Sequence, residues 1–479
     1  MGDDEDGVPA AKRRQPAPPP PPPPPAMVDY ISNLPDAILG DIVSLLPTKK
    51  AACTQILARR WRPLWRSVPL NIECHGLLRD DGTIDFRGDP GEHLDKAAIT
   101  RILSTHPGPV RRLRVPAHHM QPRHVNALND WFVSPALNNL QVLEFYHRCD
   151  YANLLAVSSW PPPPASVFQL TPTLHVATFS HCTISDGTAR SLHFPNLKML
   201  ALEEALLPET TVQSILARCP VLENLLLRGN VGSSCVRIVS PRIRSIAVHV
   251  SSFRGGAHLQ ELVVEDAPCL ERLLRTLPDG DLGVTVTNAP RLETLGCLSD
   301  VFGVTKLKLG SAAILRLNDV KFTEAVCSVK ILAFYNDTLS LDVVINFMEC
   351  FPCLERLYIK SCSGGKNAWR KKYRGLNKHN DFRLKNLVLE NYRGTKSEID
   401  FATFFIMNAK LLESMRFKVE SRICMDGSWI KTQHTQLLME KRKSICAQID
   451  FRKYDCGCNL THVESVHDLS AADPFACRC

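Results

Sequence analysis

Residues 354–362, LERLYIKSC, place apolar side chains at Leu354, Leu357 and Ile359 and end on Cys362. Apolar side chains that alternate in this way predict a short β-strand with one apolar face. One short strand cannot bury that face by itself, so the segment predicts neighbouring strands of the same kind.

The same pattern recurs along most of the chain. It starts at positions 110, 140, 174, 197, 222, 243, 259, 304, 329, 354 and 384, with a weaker copy at 282. The intervals 174 to 197, 197 to 222, 304 to 329 and 329 to 354 are 23, 25, 25 and 25 residues. This period and pattern are typical of leucine-rich repeats, which stack their strands into one parallel sheet. We therefore predict a curved solenoid over residues 100–380.

Phrases of the form P-x-L-E, such as APCLERL at 267 and APRLETL at 289, precede or overlap the strands and are expected to end the preceding helix or turn.

A helical segment precedes the repeats. SNLPDAILGDIVSLLP, residues 32–47, predicts a first helix with Pro35 in its first turn and Pro47 at its end. Its apolar stripe consists of Leu34, Ile38, Ile42 and Leu45. A second helix is expected from about Thr48. Its apolar side would carry Leu57, Trp61, Leu64 and Trp65, and Pro63 predicts a kink or helix end near Arg62.

Residues 28–75 resemble an F-box, because Leu-Pro, an Ile/Leu-rich helix, a second Leu-Pro and a Trp-Arg follow one another in LPDAILGDIVSLLPTKKAACTQILARRWRPLW. The resemblance implies docking to a Skp-type adaptor and, through it, to a cullin ubiquitin ligase. The implied adaptor-binding residues are Leu34, Pro35, Ile38, Ile42, Leu45, Pro47, Leu57, Trp61 and Trp65. The alternative is a small helical bundle whose tryptophans and leucines only fill its own core.

The C-terminal part has a different texture. EIDFATFFIMNAKLLESMRF, within residues 381–452, predicts a helix from about Ser397 with Phe401, Phe404 and Phe405 inward, and then a strand over 415–419. This stretch resembles the FBD module, so the whole chain resembles plant F-box proteins with leucine-rich repeats and a C-terminal FBD domain. The implied fold class is α/β: a small helical F-box, a repeat solenoid, and an α+β cap over the last repeat.

The two termini are not expected to contain regular domains. Residues 1–26 combine an acidic stretch with a run of prolines and are expected to be an extended, disordered tail. Residues 453–479 are expected to be an irregular tail. Its cysteines and histidines could instead hold zinc, although their C-x-C spacing is not a common finger pattern. These residues are Cys456, Cys458, Cys477, Cys479, His462 and His467.

Composition and motifs favour a binding protein. The 479 residues carry a net charge of +8, too mild to name a partner. H-E-x-x-H, G-x-S-x-G and Walker-type motifs do not occur, so we expect no catalytic residues, no metal and no cofactor. The sequence contains no run of about 18 consecutive apolar residues, so we expect no membrane span. The scattered cysteines read as reduced, buried thiols, which predicts a location in the cytoplasm, the nucleus or both.

The resemblance to F-box proteins implies the substrate-recognition subunit of a Skp-cullin-F-box type ubiquitin ligase, and the repeats are expected to hold its protein substrate. The outward strand positions are the default binding surface, for example Glu223, Asn224, Lys306, Lys308, Glu355, Arg356 and Tyr358. A loop over 366–374 is the sharper candidate, because basic and aromatic side chains there could grip an acidic or phosphorylated segment. Its residues are Lys366, Trp369, Arg370, Lys371, Lys372, Tyr373 and Arg374. The alternatives for this loop are that it is only a solvated loop or that it binds nucleic acid, and we expect nucleic-acid binding less than substrate binding. The alternative for the whole protein is a scaffold that acts outside ubiquitination.

Overall fold

The computed structural model describes residues 30–31, 33–74, 94–122, 124–146, 160–251, 257–277, 279–301, 303–336, 339–361, 382–453 and 459–477. The helices are α1 Asp36–Leu45, α2 Thr48–Cys53, α3 Trp61–Ser67, α4 Lys96–Thr105, α5 Val125–Phe132, α6 Asp186–Ser191, α7 Glu209–Leu216, α8 Leu341–Cys350, α9 Lys396–Asn408 and α10 Gly427–Gln436. The strands are β1 Leu70–Glu73, β2 Val110–Pro116, β3 Val142–Tyr146, β4 Val176–Ser180, β5 Met199–Glu203, β6 Asn224–Arg228, β7 Cys235–Val239, β8 Ser245–His249, β9 Glu261–Asp266, β10 Arg272–Arg275, β11 Leu282–Val286, β12 Thr294–Ser299, β13 Thr305–Leu309, β14 Ala312–Arg316, β15 Asp319–Lys321, β16 Ile331–Asn336, β17 Arg356–Ser361, β18 Asn386–Tyr392, β19 Ser414–Val419 and β20 Gln448–Lys453.

The repeat strands form one long parallel sheet, as the repeat pattern predicts. Within the described residues this main sheet has fourteen strands in the order β1-β2-β3-β4-β5-β6-β8-β10-β12-β16-β17-β18-β19-β20. Successive repeats pair in constant register, for example Leu200 with Leu225 and Leu225 with Ile246. The predicted α/β class is confirmed by this sheet and its crossovers.

A second sheet takes the place of helices in the middle of the array. Its order is β15-β14-β13-β11-β9-β7 among the residues described, and β7, β9 and β11 each lie in the crossover between two main-sheet strands. Apolar residues of both layers share one continuous core, to which Leu227, Leu262 and Val284 contribute.

The strands predicted at 259, 282 and 304 are therefore real, but their predicted place in the main sheet is wrong. They are β9, β11 and β13 of the second sheet. The phrases APCLERL and APRLETL instead lead directly into the main-sheet strands β10 and β12. Both kinds of strand need the same apolar inner positions, so the pattern alone does not distinguish the layers.

Arg275 connects the two layers. Its guanidinium lies in the core and donates to the Thr305 hydroxyl at 2.5 Å, to the Asp279 carbonyl at 2.8 Å and to the Gly280 carbonyl. Burial lowers its pKa to about 10, which leaves it charged at neutral pH. A buried cation that satisfies backbone carbonyls of the adjoining loops holds those loops against the main sheet.

The N-terminal helices differ from the predicted pair. α2 ends at Cys53, and α3 begins at Trp61 with Pro63 in its first turn. Proline is tolerated there because first-turn amides have no intrahelical acceptor, so the helix starts just before Pro63 and does not end near Arg62. The chain then enters β1, which pairs with β2, so the main sheet begins inside residues 28–75.

The C-terminal module extends the same sheet. α9 begins with a capping box, in which the Thr395 side chain caps the helix and Glu398 reaches back to it, and Phe401, Phe404 and Phe405 are buried as predicted. β18, β19 and β20 pair in parallel with one another and with β17. The expected separate α+β cap is thus a continuation of the array.

Residues 459–477, which we name the covering segment, contain a 3-10 turn over Val466–Ser470 and belong to neither sheet. Their apolar side chains are nevertheless buried on the main sheet, on the face opposite to the helices and the second sheet. We call this the outer face. The described part of the tail that was expected to be irregular is thus packed on the main sheet, because the outer face offers apolar partners to its side chains.

Candidate functional site

α1 exposes one apolar row and buries another. Ile38, Ile42 and Leu45 are 45%, 40% and 71% exposed, whereas Leu39 and Val43 are buried in the core. The spacing of four and three residues places the exposed three on one side of the helix. We call Ile38, Ile42 and Leu45 the apolar patch. Exposed apolar rows of this kind mark docking surfaces more often than isolated apolar side chains do.

The neighbouring predicted docking residues divide into two groups. Leu57 is exposed, Pro35 is exposed, and Leu34 and Pro47 are half-buried. Arg60 connects the segment after α2 to the start of α1, because its guanidinium pairs with the Asp36 carboxylate at 2.6 Å. These residues therefore lie on the same helical unit as the apolar patch.

Trp61 and Trp65 are core residues. Both are buried, and Trp65 packs edge-on against the His106 ring with centroids 4.9 Å apart. The prediction that Leu57 shares their side of one helix is wrong, because α2 ends at Cys53 and α3 begins only at Trp61. The two tryptophans pack inside the helical unit, and the apolar patch is the part of α1 that remains exposed.

Hydrogen bonds join the helical unit firmly to the repeats. The Ser44 carbonyl accepts from Asn71 Nδ2 at 2.7 Å and from Arg111 Nη2 at 2.6 Å. The Thr48 hydroxyl donates to the Asn71 carbonyl at 2.5 Å. Since α1 and α2 are anchored to β1 through Asn71 and to β2 through Arg111, the apolar patch has a defined orientation relative to the sheet.

The predicted outward surface is only partly open. Asn224 and Tyr358 are buried under the covering segment, and Arg356 is half-buried there. Lys306 and Lys308 are exposed, but on the second sheet. A shallow cavity of about 860 Å³ lies in front of those two lysines, with Glu261 and Thr285 in its lining.

The basic aromatic loop at 366–374 lies outside the described residues, so its predicted contact with an acidic substrate stays a prediction. The same is true of Cys456, Cys458 and Cys479 in the tail and of residues 1–26. Among the residues described, no group of three or more His, Cys, Asp and Glu side chains could hold a metal ion. None of the helices within the described ranges has the length and apolar character needed to cross a bilayer.

Glu144 carries buried charge on the outer face. Its carboxylate accepts from Arg112 Nη2 at 2.6 Å and lies 3.0 Å from His467 Nε2 of the covering segment. Burial alone would raise the pKa of Glu144, but the hydrogen bond to His467 and the charge of Arg112 outweigh it and lower the pKa to about 2. The carboxylate is thus ionised at neutral pH and anchors the segment.

A buried histidine lies near the start of the sheet. The His119 ring is enclosed, with Cys74 Sγ 3.8 Å from its Nε2 and the rings of His118 and His124 within about 6 Å of it. Burial, together with the neighbouring His118 and His124, lowers the pKa of His119 to about 3. The ring is therefore neutral at physiological pH, and no site chemistry follows from it.

The covering segment is what sequence reasoning missed. A signal for it is present: β5, β6 and β8 read MLALE, NLLLR and SIAVH, with apolar side chains at consecutive positions. A strand with one solvated face alternates apolar and polar residues, whereas a strand buried on both faces is continuously apolar. Ala201, Leu226 and Ala247 therefore predict that something covers the outer face, although not which segment does.

The fold defines a class: a leucine-rich-repeat array that carries a small helical unit with an exposed apolar patch on α1. Residues 128–359 match the family described as FBD-associated F-box protein At5g56370, LRR repeats, and residues 378–417 match the FBD family. Relatives from Arabidopsis thaliana include F-box/LRR-repeat protein 13, which is 23% identical over 67% of this chain and 68% of its own length. Two others are F-box/FBD/LRR-repeat protein At5g22660, 26% identical over 57% of this chain and 52% of its own length, and F-box/FBD/LRR-repeat protein At3g26920, 25% identical over 60% and 61%.

The chain therefore belongs to the plant F-box/FBD/LRR-repeat proteins. It spans about half to two thirds of the length of these curated relatives. The matched families cover the repeats and the FBD module, and the residues that precede position 128 lie outside both matches.

Proposed function

We propose that this protein is a substrate-recognition subunit of a Skp-cullin-F-box type ubiquitin ligase, that it docks a Skp-type adaptor through the N-terminal helical unit, and that it binds a protein substrate through its repeats. The observation that carries the proposal is the apolar patch on α1. Ile38, Ile42 and Leu45 face solvent on a helix whose opposite side is fully buried. Large apolar anchors on one helix side are what an adaptor groove accepts.

The attachment of the helical unit supports the same function. A receptor works by proximity: it holds a substrate at a defined place relative to the ligase, so that transfer becomes effectively intramolecular. The bonds from Asn71 and Arg111 to Ser44 give the docking unit one orientation on the sheet. The contribution we propose is therefore positioning, and the chemistry of transfer belongs to other subunits.

We also propose that the protein acts in the cytoplasm or the nucleus. Cys182 and Cys297 are fully buried, and burial raises the pKa of both thiols well above the ordinary value. Buried, protonated thiols are stable small core residues, and they suit a reducing compartment.

The test is capture of adaptor and cullin by the full chain from plant extract. A variant with Ile38→Asp, Ile42→Asp and Leu45→Asp should lose both partners, because charges on the patch cannot enter an apolar groove without loss of hydration. The matched control is Val133→Asp, a charge placed on an exposed apolar side chain at the end of α5. Adaptor capture that survives the triple change, with the control also intact, would overturn the proposal.

A further inference from the structure

The covering segment binds the outer face through a specific carboxylate pocket. Asp473 Oδ2 accepts from Arg356 Nη1 at 2.9 Å and from the Tyr358 hydroxyl at 2.8 Å. Arg356 and Tyr358 alternate along β17 and therefore point to the same face. Asp473 Oδ1 accepts from the amide of Phe475 at 3.1 Å, and the buried Phe475 ring lies 5.4 Å from the Tyr358 ring. The pocket thus recognises a carboxylate followed two residues later by an aromatic side chain.

The rest of the face holds the segment by its backbone and by apolar contact. Arg228 Nη2 donates to the Val463 carbonyl at 3.2 Å, and the Ser245 hydroxyl donates to the Leu469 carbonyl at 3.0 Å. Bonds to carbonyl oxygens do not depend on the side chain of the bound residue. The apolar side chains of Val463 and Leu469 lie on a surface built from small and aliphatic residues of successive strands. One specific pocket combined with backbone hydrogen bonds and apolar contacts is the arrangement of a peptide-binding surface.

The segment is a separate unit on this surface. The His462 amide donates to the Pro474 carbonyl at 2.9 Å, which closes the segment into a loop, and Ser465 and Asp468 form a capping box within it. It adds no strand to the sheet. Two side chains that hold the segment on the sheet remain accessible to solvent: Arg356 of β17 is 43% exposed, and His467 of the segment is 40% exposed. A competing chain can therefore approach the pocket without first opening the core.

We propose that the outer face between β3 and β17 is a peptide-binding surface, that residues 459–477 are its tethered resident occupant, and that substrates displace this occupant through a carboxylate and an aromatic side chain two residues apart. That the displacing peptide is a ligase substrate rests on the proposed function, whereas the binding surface and its resident occupant do not. The tether gives the resident a high effective concentration, so a ligand binds the intact chain more weakly than a chain with a weakened resident.

The test uses a fluorescent peptide of residues 459–477 added to the full-length protein. The peptide should bind a full-length variant with Asp473→Asn and Phe475→Ala at least about tenfold more tightly than it binds the unchanged chain. Adding Arg356→Ala to that variant, or Asp473→Asn to the peptide, should weaken peptide binding about tenfold or more, because a charge-assisted hydrogen bond is lost.

Three outcomes would overturn the proposal: no peptide binding to the weakened full-length variant, equal binding of the Asp473→Asn peptide, or unfolding of the weakened variant. The last would show that the segment is a permanent part of the core. Adaptor capture is measured on the same samples as a separate readout. Its loss in the unchanged chain would contradict the proposed function alone and leave the peptide result standing.

Discussion

Replacement of Leu45 by alanine should weaken adaptor binding and leave the stability of the protein unchanged. Leu45 is 71% exposed in the free chain. Complete burial of a leucine side chain contributes about 1.5–3 kcal/mol, so burial of the exposed part against an adaptor contributes about 1–2 kcal/mol. Since about 1.4 kcal/mol corresponds to a tenfold change in Kd, the variant should bind roughly 5- to 30-fold more weakly.

The assay is titration calorimetry of a purified Skp-type adaptor into the full chain, with urea unfolding of each variant alongside. Leu39→Ala is the matched change on the same helix, because Leu39 is fully buried. It should lower the free energy of unfolding by about 2–5 kcal/mol. Leu45→Ala should change the free energy of unfolding by less than about 0.5 kcal/mol.

A second control lies away from the apolar patch. Val133 is 63% exposed at the end of α5, and Val133→Ala should not affect adaptor binding. The reasoning is refuted if Leu45→Ala leaves Kd unchanged, or if Val133→Ala weakens binding as much as Leu45→Ala does.

Three further predictions concern buried polar groups. Lys418→Met should lower the free energy of unfolding by about 3–5 kcal/mol, because it leaves the Glu390 carboxylate buried without its cation. Adding Glu390→Leu to this variant should recover most of the loss, as measured by urea unfolding. A Lys418→Met variant as stable as the unchanged chain would contradict the prediction. The pKa of His119 is lower in the folded state than in the unfolded chain, so the unfolded chain binds the proton at a higher pH. The contribution of neutral His119 to the free energy of unfolding is therefore complete above about pH 6.5 and is lost as the pH falls toward 3. At pH 5 the loss should be about 2 kcal/mol. Thermal unfolding at several pH values should show this dependence of stability on pH in the unchanged chain and a weaker dependence in His119→Gln. An equal pH dependence in both proteins would refute the prediction. Arg275→Met should cost about 2–4 kcal/mol and speed amide hydrogen exchange in residues 279–286, whereas unchanged exchange there would mean that the arginine does not hold the layers together.

The sequence predicted the local elements well where one short pattern is sufficient. The main-sheet strands at 110, 197, 329 and 354 follow directly from apolar side chains that alternate within a fixed period. The helix with Phe401, Phe404 and Phe405 follows from the spacing of its aromatic side chains along one side. These elements are specified by residues within one or two turns or one strand, so no knowledge of distant contacts is needed.

Partners that are distant in the chain decided the rest. Whether Trp65 belongs to a core or an interface depends on His106, which lies far along the chain and packs against its ring. The exposure of Ile38, Ile42 and Leu45 is also decided by packing, because helical phase predicts an apolar side without showing which of two apolar rows faces inward.

The sequence by itself determined that this protein is a repeat array with parallel strands, because an apolar strand face with a period of 23 to 25 residues can be buried only by its own neighbours. Only the tertiary structure decided which layer β9, β11 and β13 join, because inner positions of both layers carry the same side chains. Only the tertiary structure decided that residues 459–477 lie on the outer face. That contact joins Asp473 to Arg356, more than a hundred positions apart, and the match of a carboxylate to its donors becomes visible only when the fold brings them within 2.9 Å.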